Sequence, residues 1–441
     1  MPILPMGMVV VPVFAILPAL YAENTAVTLT QIGVILITVR LFDAVTDPLI
    51  GYLSDKTTSR FGKRKPWILA GMLLSTASIY FLYVPPDNAG ASYYLIWSAL
   101  AYLGWTMVTI PHNAWTVDLS DDYNDRTRLF AYNHVLSIVG AMLFYAIPFL
   151  PIFATTDITL DVMRVAAWLI IPVLIITGAI NILFCPKGAY VASDASTLLA
   201  DLKAVIWNRP FWTYALALVL IGMGAAAAAG LSFIFIDSHL KIGEKFASIN
   251  LLLLPLGILT IPLWLRLIER TGKHKAWAAG GFLYAGVSPL VIFLEPGQGA
   301  FIPYLLIAAV QACALAVSGL ASPAMLTDVI DYDTWKSGAK RAASYFAIHS
   351  IIQKAIISVG SGLGLLLAGL ADFRPGEDNT QQAVWTLLFI VGVLPSLFYI
   401  AAFYLIWRFP IDERRQQILQ KRIQQREFRA RRNAETSAHN P

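Results

Sequence analysis

Ten stretches of the chain contain no Asp, Glu, Lys or Arg and are long enough to cross a lipid bilayer, which requires about 20 residues. They cover residues 1–22, 66–86, 88–117, 129–156, 165–186, 210–236, 246–265, 276–294, 296–327 and 379–407. Two further apolar stretches, 24–54 and 342–371, have the right length but carry charged residues inside them. Ten plus two predicts twelve transmembrane helices, and we therefore expect an all-α membrane protein.

The composition of the 441 residues supports this expectation. Hydrophobic residues make up 57% of the chain and charged residues only 13%, against roughly 25% charged in soluble domains. So much apolar surface must face lipid, which excludes a soluble enzyme, a secreted disulfide-linked module and a disordered chain. Only Cys185 and Cys313 are present, and no two histidines stand at i, i+4, so the sequence predicts no metal site and no cofactor.

Basic residues are concentrated in particular loops, whereas loops such as 85–89 and 295–299 hold almost none. The basic loops follow the second predicted helix, follow the eighth and precede the eleventh. Their members are Lys56, Arg60, Lys63, Arg64, Lys65, Arg266, Arg270, Lys273, Lys275, Lys336, Lys340 and Arg341. Because such loops are retained on the inner side, we expect a multi-pass protein of the inner (plasma) membrane with both termini in the cytoplasm.

The segment from Pro410 onward carries eight basic and four acidic residues, so it supplies +4 of the net charge of +5. The net charge therefore gives no indication of nucleic-acid binding. The apolar positions of this tail fit a helix on the inner membrane surface, and they fit a solvated helical tail equally well. Those positions are Ile411, Ile418, Leu419 and Ile423.

The two halves of the chain repeat each other at a spacing of 210 residues. Gly62, Lys63, Lys65 and Trp67 recur as Gly272, Lys273, Lys275 and Trp277, and Asp118 and Asp121 recur as Asp328 and Asp331. Two independent loops share one offset, which predicts two six-helix bundles in parallel orientation. We expect the first bundle over 1–186, a cytoplasmic connector over 187–209, the second bundle over 210–408 and a basic cytoplasmic tail over 409–441.

Four charged side chains fall inside predicted spans. Arg40, Asp43 and Asp47 are spaced i, i+3, i+7, so they share one face of the second helix, and Lys354 lies near the middle of the eleventh. A charge near the bilayer midplane costs several kcal/mol. One interpretation is a salt-bridge cluster that joins helices. The other is a site whose carboxylates bind a cation or proton, for which the lysine competes.

The charged side chains of these spans do not recur 210 residues away in the other half. The counterparts of Asp43 and Asp47 are Leu253 and Gly257, and the counterpart of Lys354 is Phe144. The scaffold is therefore duplicated while the charged site is not. This asymmetry favours the interpretation in which the charges serve a specific chemical purpose.

Residues 40–55 (RLFDAVTDPLIGYLSD) and 60–67 (RFGKRKPW) resemble the signature of the glycoside–pentoside–hexuronide:cation symporters of the major facilitator superfamily. Residues 118–128 and 328–336 also resemble loops of that family. The resemblance implies two six-helix bundles around a central cavity, working by alternating access, with the second and eleventh helices facing each other. It also implies that Asp43 and Asp47 bind the cation and that Lys354 communicates with them.

The sequence departs from the family at the positions that bind sugar in its galactoside-transporting members. An aspartate and a neighbouring tryptophan of the fourth helix are replaced by Thr109 and Asn113, and an arginine of the fifth helix by His134. An acid of the first helix falls near Gly7, and a loop glutamate is Ala342. We therefore expect the fold and the coupling positions to be retained but not the galactoside specificity.

The coupling ion is predicted from the few hard ligands at hand. With only two carboxylates, sodium would need neutral oxygens such as that of Thr46 to complete its shell. A proton needs none, so the sequence favours a proton over sodium as the co-transported ion.

The fourth helix is the best candidate for solute contacts, because it is uncharged and combines an aromatic ring with hydrogen-bonding groups. A flat ring with a few polar groups suits the face of a sugar. Histidines elsewhere could line the same pathway or sense pH. The candidate contacts are Trp105, Thr109, His112, Asn113, His134 and His349.

The cytoplasmic loops resemble the superfamily motif in which charge pairs hold the inner gate closed; topology alone could also explain their charges. The first motif comprises Asp55, Gly62, Lys63 and Arg64. Its expected partners are Asp118, Asp121, Arg126 and Arg128, with Asp328, Asp331, Lys336 and Arg341 in the second half.

We therefore expect a monomeric, cation-coupled symporter of a sugar, glycoside or related small organic solute. Two alternatives remain open at this point. The same superfamily branch resembles lysophospholipid symporters with a comparable acid and lysine, and a sensor with a transporter fold is also possible. No nucleophile–base pair or nucleotide-binding loop nominates an enzyme.

Overall fold

The computed structural model describes residues 3–118, 123–184, 205, 207–338, 342–411, 415–422 and 425. Within these ranges every regular element is a helix. Eleven helices are long and apolar enough to span a membrane, and a shorter apolar helix over Val135–Phe149 supplies the remaining span. The prediction of an all-α protein with twelve transmembrane helices is confirmed.

The twelve helices are numbered here in chain order. They are α1 Ile3–Asn24, α2 Leu29–Lys56, α3 Lys65–Tyr83, α4 Ala91–Asp118, α5 Tyr123–Ala146, α6 Leu160–Phe184, α7 Arg209–Gly230, α8 Gly243–Thr271, α9 Lys273–Val287, α10 Phe301–Ser337, α11 Ala342–Leu370 and α12 Gln381–Trp407. Two of them contain a π-helical turn, α1 over Pro12–Ile16 and α12 over Phe389–Val393. Because a π turn inserts one extra residue into the helical ladder, the two ends of each helix present different faces to their neighbours.

Local sequence explains where α2 begins. The Thr28 hydroxyl accepts a hydrogen bond from the Gln31 amide, and the Gln31 side chain accepts one from the Thr28 amide. This capping box satisfies two backbone donors that the helix itself leaves without partners. It fixes the start of the helix that carries three of the four charges inside the spans.

The repeat seen in the sequence reappears in the backbone. Gly62 and Gly272 have φ values of 101° and 89°, a region that residues with a side chain rarely adopt. Both glycines precede a basic helix start, and the indoles that follow, Trp67 and Trp277, each donate a hydrogen bond to a hydroxyl. The two loops are therefore equivalent in conformation as well as in sequence.

The two bundles contact each other at the end opposite the basic loops. A Cβ atom placed on Gly33 of α2 would lie 2.7 Å from the carbonyl oxygen of Gly362 in α11, so the two backbones touch there. The Thr156 hydroxyl donates to the carbonyl of Glu244 at 2.7 Å, again from one half to the other. One hydrophobic core accordingly runs through the first six helices and continues across this end into the second six.

At the basic end, two contacts among the described residues each stay within one half. Arg64 donates to the Ser54 hydroxyl at 3.0 Å, and Lys273 forms an ion pair with Asp328 at 2.7 Å. A second core cluster lies here within the second half alone. The molecule is thus joined at one end, while these contacts tie each half to itself at the other.

The described part of the tail packs on the second half of the protein. Ile411 and Leu419 are buried, and the Gln416 side chain donates to Asp331 at 2.5 Å. Ile418 is exposed, and the side chain of Ile423 lies outside the described residues. Neither alternative anticipated this packing, although the exposed face remains available to a membrane surface. Most of the predicted connector, 187–209, also lies outside the described residues, so the domain boundaries stay predictions.

Candidate functional site

Arg40 and Asp43 form an ion pair on α2, as their spacing of three residues allows. Arg40 Nη1 lies 2.7 Å from Asp43 Oδ2. Asp43 is 3% exposed and Arg40 is also largely covered. An ion pair removed from water in this way needs further hydrogen bonds to offset desolvation, because the pair alone does not do so. The question is therefore which group bonds the second oxygen of Asp43, Oδ1.

Asp47 connects three helices from both halves of the protein. Its Oδ1 accepts a hydrogen bond from the Thr106 hydroxyl of α4 at 2.9 Å, and its Oδ2 forms an ion pair with Lys354 of α11. Pro48 follows directly, and because proline has no amide hydrogen the α2 ladder loses its bond to the carbonyl of Ala44. The only described ion pair that joins α2 to α11 therefore lies where α2 is locally weakened.

A cavity of about 190 Å³ lies beside this network, between α1, α2, α4 and α11. Its wall from α1 is apolar and includes Val13 and Phe14. Its polar lining comprises Arg40, Asp43, Tyr102, Thr106, Lys354 and Ser358. The indole of Trp105 completes the wall from α4. Apolar walls with a few convergent polar groups are typical of small-molecule sites.

One buried oxygen at this cavity, Asp43 Oδ1, has no hydrogen-bond partner among the described residues. The Tyr102 and Ser358 hydroxyls lie close enough to interact with each other. Buried polar atoms in folded proteins are nearly always bonded, so the Asp43 oxygen calls for an explanation. A ligand that donates a hydrogen bond to this carboxylate would supply the missing partner.

The predicted residues of α4 divide into two groups. Trp105 lines the cavity, and the Thr109 hydroxyl donates to the Trp105 carbonyl at 2.9 Å, as an ordinary helix-internal bond. His112 is buried and Asn113 is exposed, and neither is among the described lining residues. Trp105 is therefore the one member of this set that the structure places beside the charged network.

His349 belongs to a separate hydrogen-bonded group. Its Nδ1 lies 2.8 Å from the Tyr214 hydroxyl, which lies 2.9 Å from the Ser322 hydroxyl. These three side chains connect α7, α10 and α11 inside the second half. The side chain of His134 lies outside the described residues. Thr46, the predicted neutral cation ligand, points its hydroxyl at the carbonyl of Asp43 in its own helix, 3.4 Å away.

Sequence reasoning missed Thr106 and Ser358, because single hydroxyls on apolar helices carry no charge signal. A weak signal does exist in the spacing. Thr106 lies on the same helical face as Tyr102 and next to the predicted contact Trp105, since the three are spaced i, i+3, i+4. Ser358 follows the predicted coupling residue Lys354 by four residues and so shares its face. A search for hydroxyls on those faces would have found both.

The predicted gate residues tie loops to their own half of the molecule. Arg64 bonds Ser54, Asp328 pairs with Lys273, and Asp331 accepts from Gln416, while Lys336 is exposed. The side chains outside the described residues are those of Asp55, Asp118, Asp121, Arg126, Arg128 and Arg341. The described contacts thus brace each loop, and a gating role stays a prediction.

An acidic group lies where the halves meet at the opposite end. Ser238 donates to Glu23 at 3.3 Å, joining the end of α1 to the segment after α7, and Asp237 packs beside them. Burial, and next the charge of Asp157, raise the pKa of Asp237, against a weaker lowering by its bond with Ser238. The arrangement therefore binds a proton more tightly than an exposed aspartate does.

We expect this contact to weaken as pH rises. A raised pKa means that stabilisation is present at low pH and is lost as pH rises through the pKa of the folded protein. The thermal midpoint of the purified protein should fall as the pH rises from about 4, the ordinary pKa of an aspartate, through the raised pKa of Asp237, and Asp237→Asn should flatten that slope. Asp87→Asn, an exposed acid at the same end, is the matched control. A slope equally steep in Asp237→Asn would refute the assignment.

Comparison with known proteins places these observations in a family. Residues 1–413 match the sequence model of the family described as MFS/sugar transport protein. An uncharacterised symporter of a Synechocystis species is 24% identical, with 90% of each chain covered. A sodium-dependent lysophosphatidylcholine symporter of Xenopus tropicalis is 23% identical over 89% of this chain and 82% of that one. A glucuronide carrier protein homologue of Escherichia coli is 21% identical over 90% and 87%.

The fold agrees with the family. The nucleoside transporter NupG superposes with a TM-score of 0.68 at 12% identity, covering 93% of this chain and 98% of that structure. Two six-helix bundles of the major facilitator type are therefore confirmed, as the repeat predicts. The chain belongs to the MFS/sugar transport protein family, and it is a secondary active transporter of the symporter type rather than an enzyme.

Proposed function

We propose that the protein couples the movement of a small polar solute of the sugar class to a proton, with Asp43 and Asp47 as the coupling carboxylates. The observation that carries the proposal is the ion pair between Asp47 and Lys354. It joins the two halves beside a cavity into which Asp43 presents an oxygen without a described partner. The proton and the solute would therefore act on one network.

A proton on Asp47 would neutralise the partner of Lys354. The ion pair that ties α2 to α11 would then be lost, and Lys354 would need another acceptor. A solute oxygen in the cavity can supply one, since Lys354 lines it. Binding of the proton and the solute together would thus stabilise a different arrangement of the halves than binding of the proton alone or of the solute alone. Coupled transport requires this difference.

The contacts support a proton over sodium. Each carboxylate already has a cationic partner, Arg40 for Asp43 and Lys354 for Asp47. The hydroxyl of Thr46 is directed to its own helix and not to a shared site. A proton needs one oxygen only, whereas a hard metal cation would need several oxygens arranged around it.

The size and lining of the cavity support a sugar-class solute over a lysophospholipid. Its volume of about 190 Å³ lies below the roughly 300–1,000 Å³ of sites for larger ligands. Tyr102 and Ser358 offer hydroxyls to a polyhydroxylated solute, and Trp105 offers a ring. Relatives named for a glucuronide and for lysophosphatidylcholine both exist, so an acyl-chain solute is the alternative to test.

We also propose that the basic end faces the cytoplasm of an inner (plasma) membrane and that the protein works as a monomer. Positive loops are retained on the inner side. With that orientation, the halves meet on the outer side through Gly33, Gly362 and Thr156. With these contacts in place, the solute path is closed to the outside.

The substrate class can be tested on the purified protein. Thermal stabilisation is measured against glycosides, pentosides, uronates and lysolipids, each with and without sodium and across pH. We expect stabilisation by a sugar-class compound that depends on pH and not on sodium. Stabilisation by lysolipids without any sugar response would overturn the substrate class, and dependence on sodium would overturn the ion.

We expect Trp105→Ala to weaken solute binding roughly tenfold, because a sugar loses its aromatic contact. Binding is measured by the solute concentration that gives half-maximal thermal stabilisation. Trp168→Ala, which removes an indole that is 67% exposed, serves as the control. Unchanged affinity in Trp105→Ala would remove this residue from the solute site.

A further inference from the structure

We propose that a pocket at the basic end binds the headgroup of an anionic phospholipid. This tail pocket lies between the start of α7, the end of α10 and the tail helix over residues 415–422, and its volume is about 420 Å³. It is separate from the cavity beside Asp43, with which it shares no lining residue. The proposal therefore does not depend on the transported solute.

The tail helix is held in place by several kinds of contact. Ile411 and Leu419 are buried, and Gln416 bonds Asp331. The Arg422 guanidinium lies 5.7 Å from the centre of the Trp335 ring. Because these contacts fix the tail against α10, the pocket beside it is a formed feature of the protein.

The charges of the tail pocket suit an anion. Among the described residues that line it, the charged ones are Arg209 of α7 and Arg415 of the tail helix, one from each side. Arg415 also donates to the carbonyl of Pro410, which holds its guanidinium beside the pocket. Tyr332 and Thr213 add hydroxyls. Two guanidinium groups with hydroxyl donors are well matched to a phosphodiester.

The rest of the lining is apolar, which favours a lipid over a free ion. Pro210, Ile411, Ile418 and Leu419 form most of the remaining wall. Below the pocket, Leu216 of α7 is exposed and offers a surface for an acyl chain. A free phosphate would gain nothing from these groups, whereas a lipid would use both the charge and the apolar wall.

The position of the tail pocket along the membrane normal also agrees with a phospholipid headgroup. Exposed tryptophans stand close in the chain to residues that line it: Trp207 just before α7, Trp212 in the first turn of α7, and Trp407 at the end of α12, three residues before Pro410. Tryptophan is enriched at the level of lipid headgroups. Basic pockets between helices on the cytoplasmic side are a recurring form of headgroup site. The geometry thus brings the arginines to the layer where lipid phosphates lie.

The test compares lipid retention by native mass spectrometry of the full-length protein mixed with phosphatidylglycerol and phosphatidylcholine. We expect the wild type to prefer phosphatidylglycerol. The variant Arg209→Gln/Arg415→Gln should lose roughly thirtyfold in that preference, the loss expected for two cationic side chains beside an anionic headgroup. The matched control is Arg266→Gln/Arg270→Gln, which removes two exposed arginines from the same end.

Each outcome decides the proposal. Loss of preference in the first variant but not in the control supports it, provided that both variants unfold at the wild-type temperature. Equal loss in both variants would show a general effect of surface charge and overturn the site. Inorganic phosphate that displaces phosphatidylglycerol and stabilises the protein equally well would overturn the lipid as occupant.

Discussion

We expect Asp47→Asn to abolish ion-driven accumulation of the solute while the protein remains folded and inserted. Asparagine keeps the shape of the side chain and can still accept from Thr106, but it cannot exchange a proton or balance Lys354. The Lys354 side chain is 37% exposed, so water can solvate its charge and the loss of the pair costs less stability than the loss of a fully buried pair. We expect accumulation in proteoliposomes to fall at least about a hundredfold. Asp43→Asn should have the same effect on accumulation.

The exposed pair Asp161 and Arg164 provides a matched control. It has the same i, i+3 spacing as Arg40 and Asp43, with a distance of 3.0 Å, but both side chains are solvent-exposed. Asp161→Asn should leave accumulation unchanged, because exposed pairs contribute little. A second control combines Asp47→Asn with Lys354→Gln, which removes both charges. That variant should regain thermal stability without regaining accumulation. If the variants lose only thermal stability and still accumulate the solute, the ion pair is a purely structural salt bridge.

We expect Gly33→Ala to open the outer end of the protein. The added Cβ atom would lie 2.7 Å from the Gly362 carbonyl oxygen and 2.7 Å from the Leu366 amide nitrogen, both backbone atoms that cannot turn aside. The two halves must separate to accept it, which disfavours the described arrangement by about 1–3 kcal/mol. We expect the population with the outer end closed to fall roughly tenfold, with a matching loss of transport.

This opening can be measured by spin-label distances. Labels at Ala26 and Arg374, exposed residues of the first and second halves at the outer end, report the separation in a background without Cys185 and Cys313. Gly319→Ala is the control, because a Cβ atom there meets nothing within 4 Å in another helix. Distances that stay at the wild-type value in Gly33→Ala would contradict the packing described here.

The sequence was sufficient for the architecture because lipid imposes strict rules on length and charge. Ten spans free of charged residues, with two more apolar spans that carry charges, predict the twelve helices, and the offset of 210 predicts the two bundles. The spacing of Arg40, Asp43 and Asp47 predicts a shared face, and the observed ion pair between the first two agrees with it. The proximity of Lys354 to Asp47 came instead from family resemblance, since no periodicity relates residues 307 apart.

What the sequence could not give was the rotation of each helix about its own axis. That rotation is set by packing, and it decides which side chains reach the cavity. Trp105 reaches it, whereas His349 turns to Tyr214 and His112 is buried elsewhere. Thr106 and Ser358 were missed for the same reason. The packing of Ile411 and Leu419 on the second half was not predicted, because apolar residues of an amphipathic tail give no indication of which surface they cover.

The most direct test of the central claim is the proton flux that accompanies solute uptake into proteoliposomes. With the solute identified by the stabilisation screen, external alkalinisation and uptake are recorded together for the wild type, Asp43→Asn and Asp47→Asn. Coupling through these carboxylates predicts a fixed ratio of protons to solute in the wild type and no proton movement in either variant. Proton movement at the wild-type ratio in both variants would contradict the role of these carboxylates. Uptake by the wild type that is driven by sodium without proton movement would contradict the proton as the coupling ion.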